Sequence, residues 1–239
     1  MKLDILVLAA HPDDAELGTG GTIAKHISLG NKVGIVDFTR GELGTRGTVE
    51  IRQEEAEKAS KILGISVRQN LGLRDGFFVD NEQDQLKVVQ AIRTFQPNIV
   101  LANAIRDRHS DHGRASSLAT NACFLSGLTK IITHDSEGNE QQAWRPRALY
   151  KYIQSDLIMP DFVVDISKFW NVKMESIMAF KSQFHDPDSN EPETYISSPA
   201  FLKKIEARAI EFGNAIGAQY GEGFTVQRFI GVNNLNDLL

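Results

Sequence analysis

The sequence predicts an α/β fold: a Rossmann-like, doubly wound and mostly parallel sheet with helices on both faces. Two observations carry this expectation. Short apolar runs, the mark of strands buried on both faces, recur along the first half of the chain. Between them lie segments whose apolar residues repeat at helical spacing, and the connections are short. The 239 residues, 41% hydrophobic and 24% charged, suit one globular domain over 1–239.

The elements follow in order. Residues 3–10 read as strand one, with the apolar run Ile5-Leu6-Val7-Leu8-Ala9 at its centre. Gly18 to Leu29 reads as a helix with Ile23 and Ile27 on one face, stopped by Gly30. Residues 32–38 form strand two, and a Gly-rich polar loop runs from Thr39 to Thr48. A helix over about 49–63 carries Ile51, Ala56, Ala59, Ile62 and Leu63 and ends at Gly64. Val67 to Leu71 is a short strand; Leu86, Val89 and Ile92 mark a helix, and Asn98 to Ala102 a strand. Ala115, Leu118, Ala119, Ala122 and Leu125 mark the helix after it.

The second half is less regular. Leu149 to Ile153 and Phe162 to Asp165 read as strands, and Ser167 to Phe180 as a helix. Residues 182–199, with Pro187, Pro192 and Pro199, read as a long loop of the kind that often carries function. Phe201, Ile205, Ala209, Phe212 and Ile216 mark a long helix, and Phe224 to Val232 a final strand.

Composition narrows the function. A net charge of −5 lacks the basic excess of a nucleic-acid binder. The lone cysteine, Cys123, excludes an intrachain disulfide and sits in an apolar helical pattern, so a buried core thiol is expected. Met1 to Asp4 passes straight into a strand, and the apolar run is too short to span a membrane, so the expected location is cytoplasmic.

Chemistry concentrates in two places. Strand one delivers His11, Asp13 and Asp14 to the carboxyl edge of the sheet, where open α/β folds bind ligands. Alternation along an extended chain would put His11 and Asp13 on one face, but Pro12 and a turn intervene, so spacing leaves open which aspartate meets a metal. Asp13, Asp14 and Glu16 also suit a helix N-terminus, facing its dipole. The second cluster, His109-Ser110-Asp111-His112, ends another apolar strand at the same edge. Asp111 beside two imidazoles can orient one of them. Two histidines, one carboxylate and a water make a catalytic zinc pattern, and a spare carboxylate beside it argues for catalysis over a purely regulatory metal or nucleotide site. Gly18-Thr19-Gly20-Gly21 is not a dinucleotide fingerprint, because the third required glycine is replaced by Ile23. His26, His134 and His185 read as ordinary surface or loop groups, and Trp144 and Trp170 as core or interface anchors.

These motifs, together with Gly41-Glu42-Leu43-Gly44-Thr45-Arg46-Gly47-Thr48, Arg52, Glu54 and Gly221-Glu222-Gly223-Phe224, resemble the PIG-L (LmbE-like) family of zinc-dependent N-acetylglucosamine deacetylases. The nearest resemblance is to the bacterial bacillithiol-biosynthesis deacetylases, which convert N-acetylglucosaminyl-malate to glucosaminyl-malate and acetate. The resemblance implies that His11, Asp14 and His112 hold Zn2+, or another divalent ion such as Fe2+, and that Asp13 is the general base. It implies that His109 lies beside the reacting carbonyl, oriented by Asp111, and that Arg52 and Asp75 bind sugar hydroxyls. Tyr195 is the candidate for polarising the carbonyl, and Arg46, Arg52, Arg106 and Arg108 are candidates for a substrate's carboxylates. Another small N-acetyl sugar, N-acetylglucosamine or a chitooligosaccharide, is the alternative substrate. Related enzymes form trimers or hexamers, so a homo-oligomer is expected.

Overall fold

The computed structural model describes residues 1–184 and 189–238, so His185 and Pro187 of the long loop lie outside it. Seven strands make one sheet in the order β3-β2-β1-β4-β5-β7-β6. They are β1 (Ile5–Ala9), β2 (Val33–Thr39), β3 (Val67–Leu73), β4 (Ile99–Ala102), β5 (Ala148–Tyr152), β6 (Phe162–Asp165) and β7 (Gly221–Val226). The first five are parallel; Ile5 of β1 lies opposite Val33 on one side and Ile99 on the other. β7 runs antiparallel to both β5 and β6, with Phe224 opposite Tyr152 and Phe162.

β1 is apolar throughout because both its faces are covered. Leu6 and Leu8 pack with helices α3 (Glu82–Phe95) and α4 (Ser110–Leu125); Ile5, Val7 and Ala9 pack on the other face with Ile23 of α1 (Asp14–Ser28) and Leu63 of α2 (Val49–Leu63). The expected helices on both faces are therefore present. Cys123 is buried in the α3–α4 layer, and burial pushes its thiol up to about 12. Among the described residues, no helix is long and apolar enough to cross a membrane.

Several boundaries differ from the sequence expectation. α1 begins at Asp14, four residues before Gly18, and absorbs the glycines. It kinks at Thr19, and the Gly21 and Thr22 N–H groups donate instead to the buried Glu222 carboxylate at 3.0 and 2.7 Å. A Cβ on Gly18 would overlap the ring of Tyr152, so glycine here serves close packing. The helix at 167–180 is a 3-10 turn, Ser167–Phe169, followed by α5 (Trp170–Met178). Pro199 opens α6 (Pro199–Ala215), a position where proline's missing N–H costs nothing. The last strand begins three residues early and stops at Val226, because Gly221 to Gly223 pair with β6.

This strand order places a switch point between β1 and β4: chain progression runs outward through β2 and β3 on one side and through β5 on the other. Ligands of open α/β sheets bind in such a crevice, at the carboxyl ends of the strands. The β1–α1 turn carries His11 to Asp14, and the β4–α4 connection carries Asn103 to His109.

Candidate metal centre and its cavity

The β1–α1 turn is tight. Asp13 takes a left-handed conformation, φ 114°, which non-glycine residues rarely adopt. That turn separates the two aspartates. Asp14 points into the crevice, its Oδ1 3.0 Å from His112 Nε2 and its Oδ2 3.5 Å from His11 Nδ1. Nitrogens of His11, His109 and His112 lie within 4.8 Å of one another. Asp13 turns to Arg52, whose Nη2 lies 3.1 Å from its Oδ2 and 2.6 Å from the Pro12 carbonyl. A Cβ at Gly41 would overlap the Arg52 guanidinium, and Gly41 has φ +67°, so the Gly-rich loop closes on this arginine only with glycine there.

Each of the two candidate histidine ligands is held by a carboxylate at its other nitrogen, the arrangement that fixes a ligand's tautomer and direction. His11 Nε2 meets Asp75 Oδ1 at 3.0 Å and Asp111 Oδ2 at 3.3 Å. His112 Nδ1 meets Asp107 Oδ2 at 2.5 Å, and the other oxygen of Asp107 accepts the Asp156 N–H at 2.7 Å. Asp111 therefore does not orient the His109 ring through its carboxylate, contrary to the sequence expectation. That carboxylate faces His11, the Gly76 N–H and Arg114; what reaches His109 Nδ1 is the backbone N–H of Asp111, at 3.3 Å. The reason is local: His109 is the N-cap of α4, and the helical turn aims Asp111 back toward the β3 loop. Asp75, expected to face sugar, lines the cavity while its two oxygens meet His11 and the Leu43 N–H.

Three further polar groups complete the cluster, and sequence reasoning missed them. Asn103 and Gln154 donate to the two oxygens of Asp14 at 3.1 and 2.9 Å, and Asp107 holds His112. The available signal was position: Asn103 follows the last residue of β4, and Gln154 lies two residues past β5, on the same sheet edge.

The electrostatics favour positive charge at the centre. Asp13, Asp14, Asp75, Asp107 and Asp111 gather there, all with nearly inaccessible side chains. Burial alone would lower both histidines, yet hydrogen bonds to Asp111, Asp14 and Asp75 hold His11 well above its usual value. His112 rises to about 9 against burial through Asp14 and Asp107. Burial opposes ionisation of Asp14, but His112 and His11 hold it well below the carboxylate range. Asp13 behaves otherwise: burial raises it to about 7, although Arg52 opposes the rise. His109 is pulled down by burial and by the neighbouring histidines. An O,N,N donor set with excess buried carboxylate fits a divalent cation, which would take the place of the protons on the histidines.

The cluster opens into a cavity of about 450 Å³, the size that takes a small sugar conjugate. Arg46, Arg52 and Tyr195 all line it, as do Arg108 and Arg208; Arg106 is not among its lining residues. Arg46 is tied to Ser189 and Glu191 of the long loop at 2.8 and 3.3 Å. The Tyr195 hydroxyl accepts from Lys204 at 2.7 Å, and the Arg108 guanidinium lies 4.1 Å above its ring.

Comparison with known proteins identifies the family. The family model described as PIG-L, GlcNAc-PI de-N-acetylase, matches residues 6–123, a span that holds every group of the metal cluster except Gln154. The conserved protein TT1542 of Thermus thermophilus is 37% identical, with a TM-score of 0.85 over 97% of this chain and 98% of that one. Diacetylchitobiose deacetylase of Thermococcus kodakarensis is 28% identical over 92% of this chain and 81% of its own length. At similar distance stand the probable N-acetyl-α-D-glucosaminyl L-malate deacetylase 2 of Bacillus subtilis, 26% identical over 77% of this chain and 84% of that protein, and the 4-oxalmesaconate hydratase of Pseudomonas putida, 25% identical over 91% and 86%. The bacillithiol-type enzymes thus do not stand apart as nearer relatives. The chain belongs to the PIG-L family of deacetylases, and it is an enzyme.

Proposed function

We propose that the protein removes the acetyl group from N-acetylglucosaminyl-malate, a step of bacillithiol biosynthesis, with zinc held by His11, Asp14 and His112. The observation that carries deacetylation is Asp13. It adjoins a ligand and lines the cavity, Arg52 holds it at 3.1 Å, and burial raises its carboxyl to about 7 against that arginine. A carboxylate so placed can take a proton from water and return it to a leaving amine near neutral pH. Zinc, when bound, supplies Lewis-acid polarisation of a carbonyl and lowers the pKa of water from 15.7 to about 7.

The chain's own groups do the rest. Arg52 fixes the Asp13 carboxylate through its Nη2. The His109 Nδ1 accepts the Asp111 N–H, so a neutral imidazole carries its proton on Nε2 and can donate to a developing oxyanion. In the balanced reaction, the water oxygen bonds to the acetyl carbon and the C–N bond breaks. The amine leaves with the proton that Asp13 accepted.

Relatives named as diacetylchitobiose and glucosaminyl-malate deacetylases support an N-acetylated amino sugar as substrate. Acetate release from the malate conjugate, N-acetylglucosamine and diacetylchitobiose tests the reading. Highest kcat/KM on the malate conjugate supports it; preference for diacetylchitobiose moves the enzyme to chitooligosaccharides. No acetate from any of them, with water added to 4-oxalmesaconate, would assign it with the hydratase relative.

A further inference from the structure

α6 turns one face to the cavity: Phe201, Ile205 and Arg208, spaced four and three residues apart, all line it. Two of the other cavity arginines are ion-paired, Arg52 with Asp13 and Arg46 with Glu191; the third, Arg108, is exposed and lies over the Tyr195 ring. Arg208 differs from the first two in its partners and from Arg108 in its burial. It is half-buried, and among the described residues it makes one hydrogen bond, from Nη2 to the Ser155 carbonyl at 3.1 Å. Among the described residues, no carboxylate lies within ion-pair distance of it.

A guanidinium offers five N–H donors in a planar fork suited to a carboxylate. Withdrawing that charge from water is unfavourable, and burial pulls Arg208 down from its usual value, outweighing the more distant carboxylates of Asp107, Glu211 and Asp156. A perturbed group in a cleft marks a candidate ligand site. The span to the reacting centre is also fixed. Ser155 follows Gln154, which donates to Asp14 at 2.9 Å, so one short segment anchors both Arg208 and a candidate metal ligand. Phe201 and Ile205 give the same wall an apolar surface for the carbon face of a sugar ring.

We infer that Arg208 is a specificity-determining residue, binding a carboxylate on the aglycone of an N-acetylated sugar while the acetyl group lies at the metal cluster. This rests on the deacetylase reading above. It names the residue that would read the substrate's carboxylate, one that no local motif marks.

The test compares N-acetylglucosaminyl-malate with the neutral methyl glycoside of N-acetylglucosamine, in zinc-loaded enzyme. The variants are Arg208→Gln, which keeps an N–H for the Ser155 carbonyl, and Arg208→Lys; Arg106→Met serves as a control outside the cavity. The wild type should prefer the acidic glycoside at least tenfold in kcat/KM. Arg208→Gln should reduce that preference at least tenfold, mainly through KM, and Arg208→Lys should restore part of it. Calorimetric affinity for glucosaminyl-malate should fall in parallel. A preference unchanged in Arg208→Gln, or equal losses on both glycosides, would overturn the inference and leave Arg208 a clamp between α6 and the β5 loop. Should the wild type release no acetate from either glycoside, the deacetylase reading fails instead, and the calorimetric comparison still decides whether Arg208 binds the acidic ligand.

Discussion

Replacing Asp107 by asparagine isolates one contact of the metal cluster. The Asp107 carboxylate is an acceptor twice over, from His112 Nδ1 at 2.5 Å and from the Asp156 N–H at 2.7 Å, with a side chain 1% exposed. An asparagine has a single acceptor oxygen. With that oxygen on the Asp156 N–H, its NH2 group faces His112 Nδ1, which must then accept. The imidazole proton moves to Nε2, the nitrogen aimed at Asp14 and the candidate ion. With the amide flipped, two N–H groups confront each other at Asp156. Either way one charge-assisted hydrogen bond in a buried site is lost, about 1.5–3 kcal/mol. At 1.4 kcal/mol per decade, zinc affinity should fall roughly 10- to 100-fold, as is usual when a partner of a ligand histidine is changed. Competition with a chromophoric chelator at fixed pH measures this directly, and circular dichroism checks the fold. Wild-type zinc affinity in Asp107→Asn would refute the reasoning, since His112 would then need no carboxylate to present Nε2.

Other expectations follow from the same geometry. Asp13→Asn should keep bound zinc, by elemental analysis, while kcat falls roughly 10²- to 10⁴-fold; loss of zinc would make Asp13 a ligand. Gly41→Ala should destabilise by on the order of 1–3 kcal/mol in urea, because φ +67° and the Arg52 guanidinium both oppose a Cβ; wild-type stability would show that the loop yields freely. Glu222→Leu leaves Lys173 buried without its carboxylate and the Gly21 and Thr22 N–H groups without an acceptor, a loss of roughly 3–5 kcal/mol or more, of which Lys173→Met in the same chain should recover only the part due to the buried charge; full recovery in urea titrations would show that the two N–H groups need no acceptor. Burial lowers Lys151 to about 8 from 10.5. Because the unfolded chain then binds the extra proton between those values, Lys151 favours folding increasingly as pH rises from 8 to 10.5. Urea titrations at pH 7 and 10.5 should show the wild type gaining on Lys151→Met by on the order of 2–4 kcal/mol, and parallel curves would refute the shift.

Most of the sheet was legible because burial on both faces forces unbroken apolar runs, as in β1 and β4. The antiparallel end was less so. Gly221-Glu222-Gly223 has no strand propensity of its own, and it becomes strand because Val163 and Val164 of β6 pair with it and Gly221 lets α6 come close. The start of α1 was hidden for a related reason. Its glycines argue against a helix, and the N–H groups freed by the kink are satisfied by Glu222, some 200 residues away.

The centre itself divides along the same line. His11, Asp13, Asp14, His109 and His112 could be found because each lies in a cluster just past an apolar strand, and sheet topology brings both clusters to one edge. Their division of labour was not in the spacing. A left-handed residue between Pro12 and Asp14 sends Asp13 to Arg52 and Asp14 to the histidines. A helical turn sends the Asp111 carboxylate to His11 rather than His109. Asn103, Asp107, Gln154 and Arg208 come from segments with no shared motif, each placed by the β4–β5 pairing or by the packing of α6. Local pattern can therefore name which groups could ligate a metal. What those ligands face, which fixes tautomer, charge and reach, is set by contacts between residues up to 140 positions apart in the chain, such as Gln154 with Asp14.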